Sequence, residues 1–172
     1  MASSLKCLLL LVSTRLISDT LALQCKFSTK TDCCVTIVRG ENLADHDSIG
    51  DTDPYVILYG RKAGVPGIDG ITQLYKTTTK SEDEVAPQWN EKVFLNNIEY
   101  DYLYLQAHDA DVLDADDYIG QSDNLGITSL ACNSDAEHAL PLKDLNGHSS
   151  GTIYIKAKCD CNCEFVQMEA CV

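Results

Sequence analysis

The sequence predicts an all-β domain, an antiparallel sandwich of about eight short strands, and three observations carry that reading. Short apolar alternations recur after residue 30, while helical periodicity is hard to find there. Turn signals fall between the alternations, Gly64, Pro66, Gly67 and Gly70 marking the longest. The length, 172 residues, fits one domain with short appendages.

Strands are predicted over 35–39, 55–59, 74–79, 92–96 and 102–108, in an apolar stretch over 125–130, and over 152–158. In the fifth, Leu103, Leu105 and Ala107 face inward while Tyr102, Tyr104 and Gln106 face out. In the last, Ile153, Ile155 and Ala157 share the inner face. The domain spans 34–158, flanked by cysteine-bearing segments at 24–33 and 159–172. No internal repeat and no low-complexity stretch occurs.

Residues 1–23 read as a secretory signal. Lys6 lies in a short leading segment, Cys7 to Val12 is apolar, and Thr20-Leu21-Ala22 supplies small residues for cleavage. No run approaches the roughly 18 apolar residues that a membrane-spanning helix needs. Nine cysteines, less Cys7 in the signal, leave Cys25, Cys33, Cys34, Cys132, Cys159, Cys161, Cys163 and Cys171. An even set in an exported chain reads as disulfides. Zinc is disfavoured, because no Cys-x-x-Cys pair exists and no His stands near the 159–163 cluster. The net charge of −13 excludes nucleic acid as a partner, since nothing basic tracks phosphate.

Two acidic runs carry the chemistry, Asp45 to Tyr55 and Asp109 to Gly120. Crowded carboxylates raise one another's pKa unless a cation lies between them. Calcium suits such a site because it takes six to eight oxygen ligands in flexible geometry. A single acidic loop is more often merely solvated; two at one end of a sandwich would form a cup. Neither run is an EF-hand. Counted from Asp45 the fifth position is Ile49 and the twelfth Val56, and counted from Asp109 the glycine position holds Asp114.

Four motifs stand in order: Gly40-Glu41-Asn42-Leu43 leading to Asp47 and Asp53-Pro54-Tyr55-Val56; Tyr75-Lys76-Thr77-Thr78; Pro87-Gln88-Trp89-Asn90-Glu91; and Asp109-x-Asp111 with Asp117-Tyr118-Ile119-Gly120. Over Cys34 to Lys158 they resemble a C2 domain, the calcium- and phospholipid-binding sandwich of protein kinase C, synaptotagmins and perforin. The resemblance implies an eight-stranded C2 β-sandwich. Its calcium ligands would be Asp47 and Asp53, six apart, and Asp109, Asp111 and Asp117 at relative positions 0, 2 and 8. It adds Asp114 as a further oxygen ligand and the backbone carbonyls of His46 and Ala110, for two or three calcium ions in all. Asp45, Asp51 and Asp116 read as outer charge that does not ligate.

The Gly151-Thr152-Ile153-Tyr154-Ile155 strand comes last, which matches the type II strand order and makes the exported perforin C2 module the comparison of choice. That order makes the first and last strands antiparallel neighbours. It implies at least one disulfide joining Cys33 or Cys34 to Cys159, Cys161 or Cys163.

Function follows as an expectation: a secreted module, peripheral on membranes, that docks on phospholipid when calcium offsets the cup's charge. Ile49, Val112 and Leu113 would enter the lipid. The acidic second loop, Ser81 to Pro87, with only Lys76 and Lys80 before it, argues against phosphoinositide specificity. The alternative is an extracellular protein-interaction module in which calcium only stabilises the loops. Catalysis has little support: the four histidines are scattered and no Gly-x-Ser-x-Gly or His-Glu-x-x-His pattern occurs.

Overall fold

Alternation of apolar residues decides which side of each strand turns inward, and register then decides what meets at each end. The computed structural model describes residues 31–44, 52–80, 86–111, 115–130 and 136–159. The strands are β1 (Thr31–Glu41), β2 (Pro54–Arg61), β3 (Ile71–Lys76), β4 (Gln88–Ile98), β5 (Tyr102–Asp109), β6 (Asp117–Ser122), β7 (Leu125–Gly126), β8 (Glu137–Lys143) and β9 (Ser149–Cys159). All pairings are antiparallel, in the order β3-β2-β5-β6-β8-β9-β1-β4, with β7 beside β5. The β6–β8 link is short, Gln121 against Lys143 and Ser122 against Leu142, so the sheet folds there into two layers.

One core fills the space between the layers. Val35 and Ile37, Val56 and Leu58, Leu103, Leu105 and Ala107, Ile119, Leu142, and Ile153, Ile155 and Ala157 are each no more than 2% exposed. The inward residues predicted for the fifth and last strands are among them. Burying each large aliphatic side chain contributes roughly 1.5–3 kcal/mol.

Several expectations change. Residues 125–130 hold two residues of strand and then one helical turn, α1 (Ile127–Leu130), which buries Ile127 and Leu130. An apolar run that short satisfies either geometry. The strand expected over 74–79 ends at Lys76. Beyond it, Thr77 donates its N–H to Val56 O (2.9 Å) and its hydroxyl accepts from Val56 N (2.9 Å). Strands β6 and β8 escape the sequence reading. Tyr104 does lie on the outer face, but its stack on Tyr59 (5.0 Å between centroids) leaves it 4% exposed.

β1 and β9 are antiparallel neighbours, and Cys33 pairs in register with Cys159. Those two cysteines form a disulfide across 126 residues of chain. Cys34 does not join it. As the next residue along a strand it faces the other way, and it is free among the described residues. Cys25, Cys132, Cys161, Cys163 and Cys171 lie outside the described residues, as do 1–23 and 160–172.

Peptide mapping without reductant should recover a fragment linking Cys33 to Cys159. Replacing both by Ser should lower unfolding free energy by roughly 4–5 kcal/mol, the chain-entropy value for a loop of this length. A loss below about 1 kcal/mol in urea titration would show that the bond constrains little.

Candidate metal centre

The register brings three aspartates to adjacent strand ends. Pro54 of β2 pairs with Asp109 of β5, and Asp109 pairs with Asp117 of β6. The backbone N–H of Asp53 donates to Asp109 Oδ1 at 2.6 Å, and Ala110 N–H donates to Asp53 O at 3.1 Å. Asp109 continues the inward series of Leu103, Leu105 and Ala107 and is 1% exposed. A carboxylate at a core-facing position is costly to bury and calls for a strong compensating partner. Thr52, which precedes Asp53, is fully buried, and its hydroxyl has no hydrogen-bond partner among the described residues.

The third loop is braced from below. Tyr55 OH donates to Asp116 Oδ2 (2.6 Å), and the Asp111 N–H reaches Asp116 Oδ1 (3.4 Å). Asp116 is therefore more than outer charge: it ties the loop backbone at Asp111 to β2. The Tyr55 hydroxyl holds the Asp116 carboxyl below its ordinary pKa. Burial, and then Asp116 itself, pushes the Tyr55 hydroxyl well up. The Tyr55 ring stacks on His108 (5.4 Å, 9° between planes), and the Lys76 ammonium sits over it at 3.4 Å. His108 is pushed toward its neutral form, chiefly by burial.

The second loop has its own brace, built from the other two motifs. Glu91 accepts from Tyr75 OH (2.8 Å), from Thr78 N–H (3.1 Å) and from the Thr78 hydroxyl. Trp89 Nε1 donates to Thr78 O (3.1 Å), and Gly40 N–H donates to Pro87 O (2.9 Å). These motif residues are structural; they fix the foot of the loop.

Of the predicted ligands, Asp53, Asp109, Asp111, Asp117 and Ala110 are described; Asp47, Asp114 and His46 lie outside the described residues. So do the expected lipid contacts Ile49, Val112 and Leu113. Among the described residues no group of three or more His, Cys, Asp or Glu side chains stands close enough to hold a metal ion. What is present fits calcium in kind: the candidate donors are carboxylate and backbone oxygens, Asp109 is a buried carboxylate among them, and the buried Thr52 hydroxyl next to Asp53 has no partner among the described residues.

The family model of the C2 domain matches residues 31–142. The chain belongs to the C2 domain family. No curated protein matches the sequence. Among solved structures, this C2 domain resembles the C2A domain of plant Extended Synaptotagmin 1, with a TM-score of 0.61 and 18% identity over 81% of this chain and 100% of that one. It resembles human GIVD cytosolic phospholipase A2 at TM-score 0.53 and 22% identity, over 77% of this chain but only 17% of the enzyme. Calcium-bound Extended-Synaptotagmin 2, C2A and C2B domains, matches at TM-score 0.55 and 17% identity, covering 74% of this chain and 45% of that one. At these identities the likeness is one of fold. No helix among the described residues is long and apolar enough to cross a membrane.

Tyr55→Phe should keep the core while freeing Asp116. A hydrogen bond to a charged group contributes about 1.5–3 kcal/mol, reduced here because Asp116 is exposed. Thermal unfolding should therefore show a loss of about 1 kcal/mol, and calorimetry a weaker calcium affinity.

Proposed function

We propose that this C2 domain is an exported module that docks on phospholipid membranes when calcium is present. The observation that carries the reading is the strand register that sets Asp53, Asp109 and Asp117 at three adjacent strand ends, with Asp109 buried. Asp47, Asp111 and Asp114 would complete the side-chain donors, with the carbonyls of His46 and Ala110. Calcium, when bound, supplies cancellation of the carboxylate charge and coordination positions that lipid phosphate oxygens can fill.

The chain's own groups prepare that surface. The Asp53 N–H fixes one oxygen of Asp109 and so the direction of the other. Asp116 holds the loop backbone at Asp111. Ile49, Val112 and Leu113 would enter the lipid once charge no longer opposes approach. The pairing of β1 with β9 supports a type II strand order. The predicted signal at 1–23 and the cross-linked ends support an exported protein, with perforin's module as the comparison. The reading is of a binding module and not of an enzyme.

Calcium should raise the melting temperature, since folding gathers carboxylates that the unfolded chain disperses. An unchanged melting temperature between millimolar calcium and chelator would remove the calcium assignment. The affinity expected without lipid is weak, on the order of 10⁻⁵ to 10⁻³ M.

Asp111→Asn should abolish calcium-dependent co-sedimentation with phospholipid vesicles while leaving the fold intact, because the half-buried Asp111 lies in a loop and outside the core. Retained binding would move the membrane contact to another surface.

A further inference from the structure

We propose that the turn joining β8 to β9, residues 144–148, is a fourth contact with the phospholipid surface, and that Leu145 is the side chain that enters it. The inference rests on the membrane-docking reading above and adds a contact outside the acidic loops. Leu145 is 85% exposed, one of three large apolar side chains so exposed among the described residues. A lone exposed leucine is ordinary in itself. Its mounting and its position are what set this one apart.

The mounting is rigid. Asp144 N–H donates to His148 O (2.9 Å), and Gly147 N–H donates to Asp144 O (3.0 Å). The Asp144 carboxylate turns back into the turn, accepting from the N–H groups of Asn146 and His148 at 2.8 Å each, with His148 Nδ1 at 3.3 Å from its second oxygen. Gly147 supplies the positive φ (+82°) that closes the turn. None of these contacts uses the Leu145 side chain. The turn is thus ordered before any ligand arrives, and little further ordering opposes its insertion.

The position is the end of the sandwich that carries Asp53, Asp109 and Asp117. Lys143 pairs with Ser149 and with Gln121 of β6, so the turn projects beyond the same edge from which β6 begins. Ala44, at the foot of the first loop, donates its N–H to Ser150 O (3.1 Å), just past the turn. The turn therefore stands between the feet of the first and third loops.

Charge selects the occupant. The first, second and third loops at this end each carry at least three carboxylates. The turn has one, held inward with its side chain 23% exposed, and beside it His148 with its side chain 79% exposed. It is the one connection at this end that meets an anionic surface with little repulsion. An apolar tip on a rigid turn whose single carboxylate is held inward, at the same end as the proposed lipid-binding cup, fits the interfacial zone of a bilayer.

The test uses the full chain and vesicles of phosphatidylcholine and phosphatidylserine in millimolar calcium. Leu145→Ser should bind roughly tenfold more weakly, a fraction of full leucine burial. By reciprocal coupling it should also need more calcium for half-maximal vesicle binding, while the melting-temperature rise with calcium alone stays at the wild-type value. Leu145→Trp should show an emission shift to the blue with vesicles and quenching by brominated lipid, over the background of Trp89, the chain's one tryptophan, which is 6% exposed. Wild-type affinity in Leu145→Ser, or an unshifted emission in Leu145→Trp, overturns the inference and leaves the docking reading standing. Failure of the wild-type chain to bind vesicles in calcium overturns both.

Discussion

The pairing of the first strand with the last is the constraint on which the rest of the molecule depends. β1 lies between β4 and β9, and its contact with β9 runs over eight residue pairs from Cys33–Cys159 to Glu41–Thr152. One end of that ladder is locked by the disulfide. The other end launches the first loop. There Gly151 adopts φ +122° and brings its backbone so near Asn42 O and Leu43 Cα that a Cβ would lie 2.8–2.9 Å from them. Any side chain at that position would push the foot of the first loop off the sheet. The strand that joins the chain's two ends thus also places the loop that leads to Asp53.

The acidic surplus divides into two kinds of group. Asp116, Glu91, Asp144, Asp101 and Asp32 each accept hydrogen bonds from backbone N–H groups and act as braces at turns and loop feet. Such bonds to a charged acceptor are stronger than neutral ones and hold polar backbone that has left the sheet. Asp53, Asp109 and Asp117 are placed instead by strand register at one point of the surface, although Asp109 also accepts the Asp53 N–H there. Net charge alone does not distinguish the two kinds. A site is made by where the sheet brings its carboxylates.

Much of the fold was legible because β5 and β9 alternate without interruption, Leu103-x-Leu105-x-Ala107 and Ile153-x-Ile155-x-Ala157. β6 was not, because Asp117 to Ser122 sends a single large apolar side chain, Ile119, to the core. β8 carries Pro141 and fully buries only Leu142, so its apolar signal is weaker than that of β5 or β9. The C2 resemblance implied the aspartate positions, but the bond between Tyr55 and Asp116 joins residues 61 apart and has no local signature. Leu145 is hidden for a related reason. Its exposure follows from a turn that closes through Asp144, Gly147 and His148 without using it.

The cations of this chain explain why docking, on the proposed reading, must wait for calcium. Arg39 bonds Glu41 and Glu137 and lies over the Tyr154 ring. Lys143 pairs with Asp123, Lys156 reaches Glu137, and Lys62 reaches Glu99. Lys76, on the strand that leads to the second loop, sits over Tyr55. Each of these exposed pairs adds little to stability, yet together they turn positive charge toward the protein's own acids and rings. A net charge of −13 then meets an anionic bilayer with repulsion. Divalent cations held at the strand ends would offset much of that charge where it matters. Apolar tips could act only after that offset, because their contact is short-ranged while the repulsion reaches out to about a Debye length, roughly 8 Å at physiological salt. The electrostatic term therefore gates the encounter, and the apolar term sets how long the chain stays.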